Sequence, residues 1–182
     1  MLELELEKNR DPSGSTCVLA LLHENYLLVS WIGDSRCVLC RGKKCIPMTV
    51  DHTPLRYDEK KRIEKMGGKV NLNDNTGDAP RVMQSLAVTR SFGDIKLKRN
   101  KFLIAEPEFT ETLLEPEDRF VILASDGLWD VMSEEEAVAF VLSSEEPLSV
   151  SEQLLKRAIE LGSVDNLSVI VVYFTWTLEK KL

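Results

Sequence analysis

Four aspartates stand where an apolar stretch meets small residues, and carboxylates in such places can hold a cation. Asp34 lies in Ile32-Gly-Asp-Ser-Arg36, directly after an apolar run. Asp126 and Asp130 lie in Ser125-Asp-Gly-Leu-Trp-Asp130, after the most apolar run in the chain. Asp165 lies in Gly162-Ser-Val-Asp-Asn166, immediately before the last such run. A charge at the rim of an apolar core is costly unless it is partnered, and Gly33 and Gly127 let the backbone come close to a ligand. Several such carboxylates brought together make a hard-oxygen site suited to magnesium or manganese. A lone Asp-Gly is more often a plain turn. From the residues alone both readings stand.

Other chemistries find less support. Histidine occurs only at positions 23 and 52. Neither has a Gly-x-Ser-x-Gly elbow or similar context, so both are read as structural rather than as partners of a nucleophile. No Gly-x-x-x-x-Gly-Lys loop and no Gly-x-Gly-x-x-Gly occurs. Asn73-Asp-Asn75 resembles a calcium loop only superficially, because the glutamate that would complete it is missing. Cys37-x-x-Cys40 with Cys45 lacks the second pair that a zinc site needs, and these thiols are read as small buried hydrophobes.

The elements that would position the aspartates can be read from pattern. Thr16 to Leu22 and Tyr26 to Ile32 read as strands, with His23-Glu-Asn25 as the turn between them. Arg36 to Cys40 and Lys44 to Met48 read as a second hairpin around Arg41-Gly42-Lys43. Pro54 to Met66 reads as a helix with Pro54 near its start and Gly67-Gly68 as its stop. Asn71 to Gly77 reads as an exposed loop. Phe120 to Ser125 has the continuous apolar character of a strand buried on both faces. Ser133-Glu-Glu-Glu136 and Ser149-Val-Ser-Glu152 each fit a capping box that opens a helix. Leu167 to Phe174 is the last strand. Strands and helices do not alternate regularly, so an α+β domain on antiparallel sheet is expected rather than a doubly wound one.

Composition fits this picture. The chain has 182 residues, 43% hydrophobic and 29% charged, which is enough to fill a core. Its 23 basic and 30 acidic residues leave a net charge of -7, which argues against a nucleic-acid binder. No apolar run approaches the roughly 20 residues a membrane span needs. The first residues lack the pattern of a secretory signal. Together with the cysteines, read as reduced thiols, this gives an expectation of cytoplasm or nucleus.

At these residues the sequence resembles the metal-dependent Ser/Thr protein phosphatases of type 2C. The resemblance runs in order from about Ser13 to Phe174. It begins with Ser13-Gly-Ser-Thr16, Gly33-Asp-Ser-Arg36 and Asp51-His-Thr-Pro54, then Glu59, Arg62-Ile63 and Gly67-Gly68. Leu86-Ala-Val-Thr-Arg-Ser-Phe-Gly-Asp94, Ala105-Glu-Pro-Glu108, Ala124-Ser-Asp-Gly-Leu-Trp-Asp130 and Asp165-Asn166 complete it. Each motif is weak singly, and the ordered series is highly specific.

The resemblance implies a β-sandwich of two antiparallel sheets flanked by helices, with Mg2+ or Mn2+ at one end. It makes Asp126 and Asp165 ligands of a two-metal catalytic centre, and Asp34 and Asp130, with Asp126, ligands of a further, weaker metal. It makes the segment from about Pro54 to Gly77 the flap beside the active site, and gives Arg90 and Asp94 a structural role. The implied reaction is hydrolysis of phosphoserine or phosphothreonine in a phosphoprotein substrate by a metal-activated water, without a phosphoenzyme.

The family pattern also includes a segment ahead of the Ser-Gly-Ser-Thr motif. That segment carries an Asp-Gly-His-Gly-Gly sequence whose aspartate bridges the catalytic metals, a further acidic ligand and a phosphate-binding arginine. Residues 1–12 do not supply these, and no Asp-Gly-His occurs in the sequence. The expectation is an N-terminally incomplete phosphatase-like domain over 13–176, preceded by an extension (1–12) and followed by a tail (177–182). Its sandwich would show an uncovered apolar face and open edges, and its activity alone would be impaired. The competing expectation is a non-catalytic, phosphatase-like module that binds or regulates a partner. Retention of the four aspartates favours the enzyme.

Overall fold

The computed structural model describes residues 2–9, 11–71 and 79–175. Its first elements are α1 (Leu2–Asn9), β1 (Gly14–Ser15), β2 (Cys17–His23), β3 (Tyr26–Ile32), β4 (Arg36–Arg41) and β5 (Lys44–Pro47). Then follow α2 (Tyr57–Lys65), β6 (Val70–Asn71), β7 (Arg81–Val82), β8 (Phe92–Gly93), α3 (Ile95–Lys98) and β9 (Glu108–Leu113). The chain continues through β10 (Asp118–Ala124), α4 (Asp126–Trp129), α5 (Glu134–Ser143), a 3-10 turn (Pro147–Ser149), α6 (Val150–Glu160) and β11 (Val169–Tyr173). The fold is thus a mixture of helices and several sheets, as expected. The larger sheets have the orders β11-β10-β4-β5 and β2-β3-β9, and β1 pairs with β8 and β6 with β7.

The chain divides into two compact units. One comprises Met1–Leu19, Ser30–Ser35 and Val50–Phe109, and the other Ala20–Val29, Arg36–Thr49 and Thr110–Leu182. In the second unit the four-stranded sheet is antiparallel throughout, with Ile122 opposite Val38 on one side and Val171 on the other. Side chains alternate between faces, so this register places Val38, Cys40, Phe120, Ile122 and Ala124 together. They form one buried cluster with Ala137, Val138 and Val141 of α5 and Leu154 and Ala158 of α6. Cys37, Leu39 and Val121, on the opposite face, are buried too. Strand β10 is therefore covered on both sides, and each large side chain so buried contributes roughly 1.5–3 kcal/mol.

Helix α5 begins as its sequence predicts. The Ser133 hydroxyl accepts the Glu136 N–H at 3.2 Å, and the Glu136 carboxylate accepts the Ser133 N–H at 2.8 Å. The second predicted box does not form. The chain enters α6 from the 3-10 turn, which leaves Ser149 at ψ 1 instead of the extended value a capping residue adopts. Its hydroxyl bonds Glu146 and Gln153 instead. The predicted strand Leu167 to Phe174 is paired only over Val169–Tyr173.

In the first unit, α2 starts at Tyr57, later than predicted. Pro54 and Leu55 form a turn in which the Arg56 N–H donates to the Thr53 carbonyl, and Arg56 is extended at ψ 119. Its guanidinium is anchored on Asp58 and Glu108, so the backbone turns helical only after it. Gly67 and Gly68 end the helix as predicted. A Cβ on Gly68 would lie 2.6 Å from the Ile63 side chain, in the small core of Ile63, Val82 and Phe102. Most of the predicted loop Asn71 to Gly77, the Asn73-Asp-Asn75 segment and the 177–182 tail lie outside the described residues.

Several elements escaped the sequence reading, among them helix α1 and strand β9. Helix α1 has the alternation Leu-Glu-Leu-Glu-Leu, which is the period of a strand. Strand β9 turns Glu108, Thr110 and Thr112 inward and Phe109, Glu111 and Leu113 outward, the reverse of the usual pattern. The inward residues are satisfied by bonding: the Thr110 hydroxyl donates to the Met48 carbonyl at 2.7 Å, and Glu108 receives arginines.

Candidate functional site

Asp126 sits at the corner where β10 passes into α4. Three contacts pin this corner to the loop before β11. The Ser125 hydroxyl donates to the Asn166 carbonyl at 3.2 Å and accepts the Ser168 N–H at 3.1 Å. The Ser163 hydroxyl donates to the Gly127 carbonyl at 2.7 Å. A Cβ on Gly127 would lie 2.5 Å from the Asn166 backbone oxygen, so this approach requires glycine. Glycine here allows close packing of backbone on backbone rather than a special φ.

The approach gathers charge. Asp126 is half-buried, while Asp130 and Asp165 are exposed. Burial, and then the charges of Asp165 and Asp130, push the Asp126 carboxyl above its usual value. Asp126 accepts the Gly127 N–H at 2.9 Å, and Asp165 accepts the Asn166 N–H at 2.7 Å. The second unit therefore brings two of the predicted aspartates, Asp130 and Asp165, within electrostatic reach of a third, Asp126. The donor set is all hard oxygen and mutually repulsive, which a divalent cation would relieve. Its chemistry fits magnesium or manganese. Among the described residues no three His, Cys, Asp or Glu side chains are placed so as to hold a metal ion between them.

Asp34 belongs to the first unit and is half-buried. Its corner is held on both flanks. Gly33 has φ +95, a conformation that favours glycine, and its missing Cβ would meet the Thr16 methyl at 2.3 Å. The Ser35 and Thr16 hydroxyls lie 3.0 Å apart and share a hydrogen bond. The Gly33 N–H donates to His52 Nδ1 at 3.1 Å.

Beside His52 lies a charged network. Glu59, 2% exposed, receives Arg90 at 2.8 Å and Arg62 at 2.9 Å. Glu108 receives Arg90 at 2.9 Å and Arg56 at 2.6 Å. Burial opposes ionisation of Glu59, yet bonds from Arg90 and Arg62 overcome it and hold the carboxyl at about 2. The Arg56 bond likewise holds Glu108 below its usual value. Burial, then the Arg90 charge, depresses His52 to about 4, so the ring is neutral near pH 7. The network is structural in form, since its charges are occupied with one another. Arg90 also donates to the Glu106 carbonyl at 2.9 Å, and Asp94 accepts the Ser91 hydroxyl at 2.7 Å, in keeping with the structural role expected of both. Sequence reading singled out neither Arg56 nor its pairing with Glu108, because their juxtaposition joins distant parts of the chain.

His23 ends strand β2, exposed, instead of lying in the predicted turn. Of the thiols read as buried, Cys37 and Cys40 are buried and Cys45 is half-buried. All four cysteines are free. Cys37 and Cys40 stand three apart on β4 and so face opposite sides, which precludes a shared ion. Burial pushes the thiols up, to about 12 at Cys37 and about 11 at Cys45.

Comparison with known proteins gives one consistent result. Residues 2–167 match the family model described as Protein phosphatase 2C. The chain is 43% identical over 173 residues to "Probable protein phosphatase 2C 59" of Arabidopsis thaliana, covering 95% of this chain and 53% of that protein. It is 44% identical over 181 residues to "Probable protein phosphatase 2C 69" of the same plant, covering 100% of this chain and 48% of that one. Among solved structures, a serine-threonine phosphatase 2C from Toxoplasma gondii superposes with a TM-score of 0.84 at 29% identity, over 96% of this chain and 62% of the other. A sex determining protein of C. elegans does so at 0.85 and 28%, over 94% and 43%. The chain spans about half the length of the curated relatives it matches.

Proposed function

The chain belongs to the protein phosphatase 2C family, and from that premise we propose that it hydrolyses phosphoserine and phosphothreonine esters of phosphoproteins with a bound divalent cation, Mg2+ or Mn2+. Residues 13–176 form the phosphatase-like domain in this reading. Asp126 and Asp165 hold the catalytic metals, Asp130 offers a further carboxylate beside Asp126, and Asp34 is a cation ligand in its own unit. When bound, such ions supply a nucleophilic water at neutral pH and neutralise charge on the phosphoryl oxygens.

The observation that carries this reading is the half-buried Asp126 carboxyl, facing the charges of Asp165 and Asp130. Gly127 and Ser125 do the positioning. The close approach at Asn166 and the bonds to Asn166 and Ser168 fix the two carboxylate-bearing loops relative to one another. A hydrolysis without a phosphoenzyme also agrees with the thiols, since Cys37, Cys40 and Cys45 are all shifted toward the neutral form. Four free cysteines suit a reducing compartment, the cytoplasm or nucleus. Among the described residues no helix is long and apolar enough to cross a membrane.

The test is phosphate release from a phosphothreonine peptide and from an aryl phosphate, with Mn2+ present or chelated, for the protein and its Asp126→Asn variant. Turnover that needs Mn2+ and is lost in the variant supports the proposal, even where it is low, as expected of a sequence with no Asp-Gly-His. Absence of turnover, or turnover indifferent to Mn2+ or to the substitution, overturns it and favours a binding module.

A further inference from the structure

His52 holds Gly33 at both polar atoms of one residue. Its Nδ1 accepts the Gly33 N–H at 3.1 Å, and its own backbone N–H donates to the Gly33 carbonyl at 2.9 Å. The histidine is itself immobilised. It is fully buried, its ring stacks on Trp31 at 5.9 Å and 18°, and its carbonyl accepts the Thr89 N–H at 2.7 Å. Trp31 is fixed in turn by its indole N–H on the Val50 carbonyl at 2.8 Å.

The ring is more than filler. Because Nδ1 accepts, the ring proton lies on Nε2. Nε2 is 3.5 Å from a Glu108 oxygen and has no hydrogen-bond partner among the described residues. A buried donor left unmatched is unfavourable, so an apolar side chain would fill this space at lower cost. What the imidazole supplies is an acceptor for the N–H of a residue at φ +95, whose geometry takes it out of the neighbouring strand ladder. The next residue is Asp34, and the one after it, Ser35, is tied to Thr16.

We propose that His52 is a positioning residue for cation binding: its Nδ1 fixes the Ile32–Gly33 peptide and its backbone N–H the Gly33 carbonyl, and the side-chain bond, by locking Gly33 from its N–H side, sets the direction in which the chain presents the Asp34 carboxylate. This rests on the reading of Asp34 as a cation ligand given above. The chemical class of the ligand is a hard divalent ion, and His52 acts on it only through the backbone.

The test uses Mn2+ alone, its binding followed by the electron paramagnetic resonance of the free ion, with circular dichroism melting as a check of fold. Three variants separate the roles. Asp34→Asn removes the ligand, His52→Asn places an amide oxygen where Nδ1 stood, and His52→Gln places its amide where Nε2 stood. Asp34→Asn is expected to abolish the weaker class of Mn2+ sites. His52→Gln should weaken that same class roughly tenfold or more, as loss of an outer-shell partner does, while His52→Asn retains it. If both histidine variants bind Mn2+ like the parent, or both lose it alike, the Nδ1 assignment is overturned. If Asp34→Asn itself binds like the parent, the ligand reading fails, and the proposal with it. Amide exchange in the unaltered protein gives an independent check: the Gly33 N–H must be protected, and rapid exchange there overturns the clamp whatever the variants do.

Discussion

Gly127 and Asn166 are pressed together so closely that a single methyl group between them would sit 2.5 Å from the Asn166 carbonyl oxygen. One of these residues follows Asp126 and the other follows Asp165. The contact is therefore the hinge point of the acidic corner: whatever separates these two backbones also separates the two carboxylates. Asp126 and Asp165 each bond the N–H of the next residue, so their orientation is tied to the same pair of peptides.

Gly127→Ala should destabilise the protein by about 1–3 kcal/mol, since overpacking forces backbone to move. The sign is informative, because alanine in an uncrowded helix position would instead stabilise by about 0.5–1 kcal/mol. Thermal melting decides between them, and a raised midpoint would show that the backbones are not in contact. Mn2+ affinity should fall in the same variant.

Arg90→Met should cost about 3–5 kcal/mol, because it strands the buried Glu59 carboxylate with only Arg62. The double variant Glu59→Gln, Arg90→Met should recover part of that loss, as the uncompensated charge is removed with its partner. Urea titration of the parent, both single variants and the double variant measures the coupling. Simple additivity would show that the network carries no such dependence.

Stability should fall on acidification in two windows. His52 has a folded value near 4, below the ordinary 6.5, with Arg90, Arg56, Glu108 and Glu59 facing it. Between those values the unfolded chain binds the proton and the folded one does not, so stability rises with pH there and is complete above 6.5, a change of about 3 kcal/mol at most. Glu59, folded near 2 against an ordinary 4.5, acts in the same direction at lower pH: its contribution is present above 4.5 and lost as pH falls through 2. Urea midpoints at pH 7.5, 5.5 and 4.5 test the first window. A flat profile between 7.5 and 5.5 would mean that His52 titrates alike in both states.

Gln84→Gly should stabilise by about 1 kcal/mol, because left-handed backbone is disfavoured by that order for residues with a Cβ. Met83 and Gln84 both have positive φ, at 50 and 59, in a turn closed by the Ser85 N–H on the Val82 carbonyl at 2.9 Å. Such turns favour asparagine and glycine. Differential scanning calorimetry should show a higher melting temperature, and a lower one would place the turn in another conformation in solution.

Much of this architecture was legible from local pattern. Strand β3 was bounded correctly by its apolar run, β10 was recognisable as buried on both faces, and the Ser133 box opened α5 as its spacing required. The failures share a cause. Pro54 marked a helix start that the Arg56 anchor on Glu108 moved onward, and Ser149 lost its capping role to Glu146 and Gln153. Strand β9 was unread because its inward residues are polar and their partners, Met48, Arg56 and Arg90, are remote in sequence.

The sequence by itself determined the family, through an ordered series of short motifs, and it raised cation binding as an expectation, since aspartates beside small residues at the ends of apolar strands restrict what can bind there. Only the tertiary structure decided which of those aspartates share a field. Asp126 meets Asp165 because Gly127 and Asn166 touch, and Gly33 is fixed by His52 because β3 and the segment after β5 are held together. The reason is physical: hydrophobic periodicity and caps are local and can be read along the chain. Electrostatic coupling depends on distance through space, which exists only once the chain has folded.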